Sequence, residues 1–258
     1  MKIQMSTVIS MVVFGLASVA HGQEVDVAED AEPLSLRAAS SGQMSPVVLS
    51  ATLDSGHGLV LGNGGYDSAR SGALFDSVAE VRLWGPIALR AGATYSDDTR
   101  RMRPSVGARV QFLRQEAHGV DGSLSSFFKT EGFDETEGEI ESTAAVGHRF
   151  GRSYLLGNVA YGQDPEGNER DGELRASFLR QEGRFVFGGE GRARTAIGAQ
   201  HGTHSAVEPR FDALVGPAAF VTFGTFVAFA EVGPSAVRLP AADTKWGVAS
   251  LAGLASIF

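Results

Sequence analysis

Ile87-Ala88-Leu89-Arg90-Ala91-Gly92-Ala93-Thr94-Tyr95-Ser96 is the stretch on which the fold of this chain turns. Ile87, Leu89, Ala91, Ala93 and Tyr95 fall on one side of an extended backbone, and Arg90, Gly92, Thr94 and Ser96 on the other. Successive side chains of a strand point to opposite faces, so a period of two marks a β-strand with one apolar and one polar face. The stretch is preceded by a tight turn, Gly85-Pro86, and followed by a longer polar loop over 97–104. The alternation recurs downstream. Val106, Ala108, Val110 and Phe112 oppose Ser105, Gly107, Arg109 and Gln111, and Phe185 and Phe187 oppose Glu190, Arg192 and Arg194.

Working outward, the pattern predicts twelve strands, over 46–53, 73–84, 87–96, 105–115, 118–129, 139–150, 153–162, 172–182, 184–194, 204–215, 218–229 and 245–258. Their connections alternate in length. Gly85-Pro86, Gly151-Arg152 and Gly216-Pro217 read as tight turns, and 54–72, 97–104, 130–138, 163–171, 195–203 and 230–244 as long loops. Short turns at one end and long loops at the other predict an all-β, antiparallel up-and-down transmembrane β-barrel of about twelve strands. A soluble β-sandwich has the same alternation with its faces reversed, and pattern alone leaves both open.

Residues 79–116 align without a gap on 145–182. Phe112-Leu113-Arg114-Gln115-Glu116 recurs as Phe178-Leu179-Arg180-Gln181-Glu182, and Gly85, Leu89, Tyr95, Asp98 and Arg109 match Gly151, Leu155, Tyr161, Asp164 and Arg175. The unit holds a strand end, a turn, a strand, a long loop and a further strand. Duplicating an even number of strands leaves both ends of a barrel on the same side.

Residues 1–22 have the plan of a secretory signal peptide: Lys2, an apolar run from Val8 to Ala20, and Ala20-His21-Gly22 as a small-x-small cleavage site. A membrane-anchor helix is the competing reading, but the run is short and acidic residues follow it. Residues 23–45 form an acidic, Ser/Gly-rich linker, and 46–258 the barrel. No later segment is apolar for the roughly 20 residues a spanning helix needs. The net charge of −8 is not gathered into a basic stripe, which argues against a nucleic-acid partner. With no cysteine, the chain has no disulfide, thiolate nucleophile or Cys-ligated metal, in keeping with export.

Tyr95 and Tyr161 stand where strands run into long loops, and Phe112, Phe150 and Phe178 near tight turns, like two interfacial girdles. Trp246, Val248, Leu254 and Phe258 share one face of the last strand. That strand resembles the closing strand of bacterial outer-membrane proteins, whose terminal Phe is part of their assembly signal, although Ser250 and Ser256 stand where more apolar residues are usual. As architecture, 46–258 resembles the outer-membrane β-barrel (porin-like) proteins. The resemblance implies a bacterial outer-membrane location, outer-membrane lipid and the barrel-assembly machinery as partners, and Phe258 as the assembly signal. No family motif is matched, so no functional residue is carried over.

In a membrane barrel the polar face lines the interior. Arg90, Arg109, Arg175, Arg192, Glu141, Glu173 and Glu190 are the pore-lining candidates, within a larger set of Arg82, Arg149, Arg194, Arg210, Asp76, Glu80, Glu139, Glu208 and Asp212. The mixed signs point to cross-strand ion pairs bracing the wall rather than a selective ring of one sign. Arg109 and Arg175, equivalent in the repeat, are the best pair for a pore-facing role. In the predicted strand 218–229, Phe220 and Phe226 share one face, and Val221, Phe223, Val227 and Phe229 the other. Two apolar faces call for something packed inside, either the Gly-rich segment 54–72 or the linker; a flattened wall is the alternative.

No catalytic constellation emerges. His201 and His204 lie in a loop without a third ligand. Ser55 and His57 are sequence neighbours without an orienting group. Gly62-Asn63-Gly64-Gly65 lacks the Lys-Ser/Thr of a phosphate loop, and Glu131, Asp134, Glu135, Glu137 and Glu139 read as a solvated acidic loop. The sequence therefore predicts no cofactor and no metal. It predicts a narrow or partly occluded passive channel for small solutes. The alternatives are a structural or surface-interaction barrel working through its loops, and a lipid-modifying enzyme at the rim.

Overall fold

The computed structural model describes residues 58–97, 100–130, 138–165, 170–197, 210–240 and 242–257. The alternating runs form twelve strands: β1 (Gly58–Asp67), β2 (Gly72–Trp84), β3 (Ile87–Ser96), β4 (Arg101–Leu113), β5 (Asp121–Thr130), β6 (Gly138–Phe150), β7 (Ser153–Gln163), β8 (Arg170–Glu182), β9 (Phe185–Ala196), β10 (Phe211–Phe223), β11 (Phe226–Arg238) and β12 (Lys245–Ile257). Each strand pairs antiparallel with its sequence neighbours, and β12 returns to pair with β1, from Leu59 opposite Ile257 to Asp67 opposite Ala249. The sheet is a closed barrel, which leaves no edge and excludes the sandwich.

The faces are inverted relative to a soluble protein. Val106, Val159, Leu174 and Val248 point outward, each more than half exposed, whereas Arg90, Arg109, Arg175 and Asp212 point inward and are buried. In water, such an outer surface would be one continuous apolar patch. Around a barrel it is the band that faces lipid. Aromatic side chains mark the two borders of the band. Trp84, Phe112, Phe150, Phe178, Phe223 and Phe226 are exposed near the tight-turn rim, and Tyr66, Tyr161 and Trp246 near the opposite rim. Ring pairs stand at both levels: Phe150 of β6 and Phe178 of β8, across β7, at 6.0 Å, and Phe75 and Tyr95 of the neighbouring strands β2 and β3 at 6.4 Å.

Three expectations are corrected. Among the described residues the first strand is 58–67. The predicted strand at 46–53 lies outside the described residues, and most of the supposed Gly-rich loop 54–72 is β1 itself. That segment is hydrogen-bonded to both β2 and β12 and therefore cannot fill the interior. Its glycines masked an alternation that is present: Leu59, Leu61, Asn63 and Asp67 face in, Val60 and Tyr66 out. The connection to β2 is only 68–71, closed by the Ala69 N–H donating to Asp67 Oδ1 at 2.8 Å.

Gly216-Pro217 is not a turn. It lies within β10, and the turn is Gly224-Thr225, with Gly224 at φ +60. The predicted strands 204–215 and 218–229 become β10 and β11, and the loop 230–244 shrinks to 239–244. The Gly-Pro pair instead sits where the β10–β11 ladder skips from Leu214–Ser235 to Ala218–Glu231. Pro217 and Pro234, which have no N–H to give, fall within the gap. Gly216 approaches β11 so closely that a Cβ there would lie 2.0 Å from the Val232 carbonyl oxygen.

The predicted strands 105–115 and 118–129 are 101–113 and 121–130, and the turn between them is a seven-residue connection. It contains one helical turn, α1 (Gln115–His118), closed by Gly119 at φ +77. The remaining tight-turn connections, 85–86, 151–152 and 183–184, have two residues each. The signal peptide, the linker, Ser55, His57, the acidic run from Glu131 to Glu137, His201, His204, Glu208 and Phe258 lie outside the described residues.

Candidate functional site

The barrel interior is the candidate site, and the strand alternation populates it. Near the tight-turn rim it is apolar. Leu59, Leu61, Tyr154, Leu156, Leu179, Val186, Phe220, Val227 and Phe229 meet in one buried cluster. Phe220 and Phe229 are directly opposite in the β10–β11 ladder, with ring centroids 6.0 Å apart. Phe223 and Phe226 point to the outside. The turn at 224–225 thus resolves the two apolar faces predicted for 218–229: inner and outer aromatics belong to a hairpin, not to one strand. The inner pair packs against the wall's own side chains.

Above this layer the interior is ionic. Glu80 of β2 accepts from Arg109 of β4 and lies 3.2 Å from Arg90 Nε of β3, so one carboxylate serves two guanidinium groups. Arg90 also lies over the Phe127 ring, 4.7 Å from its centroid. Lys129 Nζ donates to Glu141 Oε2 at 3.0 Å. Arg175 pairs with Glu173 two residues away on the same face of β8. Arg192 Nη2 donates to Asp212 Oδ1 at 2.6 Å and approaches Glu173 at 3.9 Å. Arg70, from the turn before β2, reaches in to the other Asp212 oxygen at 2.7 Å, bringing β1–β2 and β10 together. At the loop rim, Arg194 pairs with Asp171, and Ser235 Oγ donates to Asp67 Oδ1 at 2.7 Å.

All seven pore-lining candidates face this interior. The structure brings Arg90 and Arg109 together on Glu80, and Arg175, Arg192 and Glu173 together on β8–β9. Glu141 belongs to the Lys129 pair, and Glu190 is buried on β9 opposite Ser177. Arg149 stands at the tight-turn rim, exposed, 5.8 Å from the Tyr154 ring centroid. Arg210 precedes β10 and is exposed, so it is not an interior residue. His148 faces out, stacked on Phe150 at 5.8 Å. Lys129, Asp171 and Arg70 were missed. The first two follow the alternation of their strands and could have been found from it. Arg70 sits in a turn, where alternation carries no information.

Toward the loop rim the interior holds a recess of ≈ 20 Å³ lined by Arg103, Lys129, Glu139, Glu141, Asp171, Glu173 and Arg194, room for about one water. Asn63, Thr143, Asn158 and Ser177 carry buried polar atoms without a hydrogen-bond partner among the described residues. Buried groups of this kind are ordinarily satisfied by ordered water.

No protein-family model matches this chain, and no curated protein sequence matches it. Solved structures do. The NanC porin aligns with a TM-score of 0.56 at 6% identity, over 77% of this chain and 99% of that one. The KdgM porin aligns with a TM-score of 0.52 at 9% identity, over 78% and 99%. LpxR from Salmonella typhimurium aligns with a TM-score of 0.48 at 7% identity, over 78% and 100%. At such identities the likeness shows the fold alone. Taken with the closed sheet and the inverted faces, that fold is the twelve-stranded, porin-like architecture of the bacterial outer-membrane β-barrels.

Proposed function

We propose that this protein is an outer-membrane barrel acting as a narrow passive channel for small solutes, occluded at rest by its own side chains. The ionic middle of the interior carries this reading. A barrel that only needed a solid core would be as stable, or more so, with apolar residues in place of Arg, Glu and Asp. Charged groups, unlike an aliphatic core, can exchange partners with water and ions, and rearranged pairs open a polar path. The apolar layer of Phe220, Val227 and Phe229 is then the main barrier, and the pairs of Arg90, Arg109, Arg175, Arg192, Glu141, Glu173 and Glu190 line the path above it. Export by a cleaved signal peptide and recognition of Phe258 by the assembly machinery are part of the same proposal. No catalytic role is assigned to any residue.

Single-channel recording in planar bilayers tests it. The expected result is small, discrete conductance steps that grow in F220A/F229A. A folded barrel that conducts in neither form overturns the channel reading, and leaves the loops as the working part, in the manner of a surface-interaction protein.

A further inference from the structure

Two of the four two-residue turns are Gly-Arg: Gly151-Arg152 between β6 and β7, and Gly183-Arg184 between β8 and β9. Gly151 and Gly183 have φ of +61 and +59, the first-position conformation of a type II′ hairpin turn that glycine adopts without strain. Both turns leave their arginine at the tight-turn rim, one strand pair apart around the barrel. Between them, Arg180 points outward from β8, directly opposite Ser153 on one side and Phe187 on the other. Arg152 is 72% exposed and Arg180 57%.

Three guanidinium groups are thus gathered on one short arc, and two of them share a single acid, Glu182. Glu182 accepts from Arg152 Nη1 at 3.0 Å and from Arg180 Nε at 2.8 Å. Arg184 lies over the Phe185 ring at 5.2 Å. Exposed ion pairs contribute little, so Glu182 does not commit the two arginines that share it. Immediately on the membrane side of the guanidinium groups stand the outward rings of Phe178, Phe185 and Phe187, each about half exposed. Two other turns of this rim, Gly85-Pro86 and Gly224-Thr225, carry no charge and are flanked by Trp84, Ile87, Phe223 and Phe226, while the 114–120 connection mixes Arg114 and His118 with Glu116.

We propose that this arc is a docking site for an anionic phospholipid, with its headgroup phosphate among Arg152, Arg180 and Arg184 and its acyl chains along Phe178 and Phe187. Guanidinium matches a phosphate with two parallel N–H donors and stays charged at every physiological pH. Basic side chains at a membrane surface favour anionic over zwitterionic lipid. The apolar rings below hold the lipid at the depth where the band begins. The site rests on the membrane reading of the barrel and not on its being a channel.

Native mass spectrometry of the intact barrel in detergent, with phosphatidylglycerol or phosphatidylcholine added, tests it. Phosphatidylglycerol should be retained with about a tenfold preference. The preference should fall to within about twofold in R152Q/R180Q/R184Q, rise in E182Q as the competing carboxylate loses its charge, and persist in R170Q/R238Q, whose arginines face outward at the loop rim. Heat-dependent gel mobility confirms that each variant is folded. Equal retention of the two lipids by the unaltered barrel, or a preference that survives in the triple variant, overturns the proposal. A chain that stays monomeric in water without detergent overturns the membrane reading instead, which keeps the two failures apart.

Discussion

Arg109 and Arg175 occupy equivalent places in the two copies of the repeat, both buried and both facing in, yet they are neutralised differently. Arg175 finds Glu173 on its own strand. The corresponding position before Arg109 is Gly107, so β4 supplies no acid and Arg109 turns to Glu80 on β2. Glu80 faces in only because β2 carries a bulge. Its pairing with β3 slips between Arg82 and Trp84, and Leu83 and Trp84 both point outward. The β6–β7 ladder has no slip, and the position equivalent to Glu80 is Val146, exposed on the outside. A single inserted residue thus reverses the face of every β2 side chain before it. The repeat fixes where a charge goes, and the bulge decides who meets it.

Deleting Leu83 attacks this comparison most severely. It turns Asp76, Glu80 and Arg82 toward lipid, and the expected outcome is failure to assemble, read as loss of the heat-dependent gel shift; a folded barrel would show that the bulge is dispensable. Next in size is Arg109→Met, which leaves Glu80 with only the more distant Arg90. Urea unfolding followed by tryptophan fluorescence should show a loss of about 3–5 kcal/mol. Val146→Glu places the carboxylate of copy one on the outer face of copy two and should cost about 1–3 kcal/mol in the same assay. The triple variant E80L/R90M/R109M removes the carboxylate and both guanidinium groups it serves, and should recover all but about 1 kcal/mol of the single-variant loss. A triple variant as unstable as Arg109→Met would mean that the wall needs the charges for more than each other.

Most of the wall was legible because a strand's two faces are written locally. Alternation alone places Arg90, Arg109, Glu141, Glu173, Arg175, Glu190 and Arg192 on the inner face. Where local signals compete, the reading slipped. The glycines of β1 imitated a loop, and Gly216-Pro217 imitated a turn because the signal is the same whether the chain reverses or a ladder opens. Partners were not legible. Arg70 and Asp212 are 142 residues apart, and the bulge that presents Glu80 has no marker in its own sequence. Which charge meets which depends on closure and register, both properties of the whole sheet.

Of the twelve ladders, eleven join consecutive strands and can zip from a short connection. The β1–β12 ladder joins Leu59 to Ile257, about 200 residues apart, and no turn templates it. For a chain with its ends free, bringing such a pair together costs about 5 kcal/mol in loop entropy. Once the eleven hairpins have formed, most of that entropy has already been spent, and the last ladder closes a curved sheet whose ends are neighbours. Kinetically, the seam is therefore the natural final step of folding, and until it forms the β1 and β12 edges stand open together as the one place where a second chain could insert a strand.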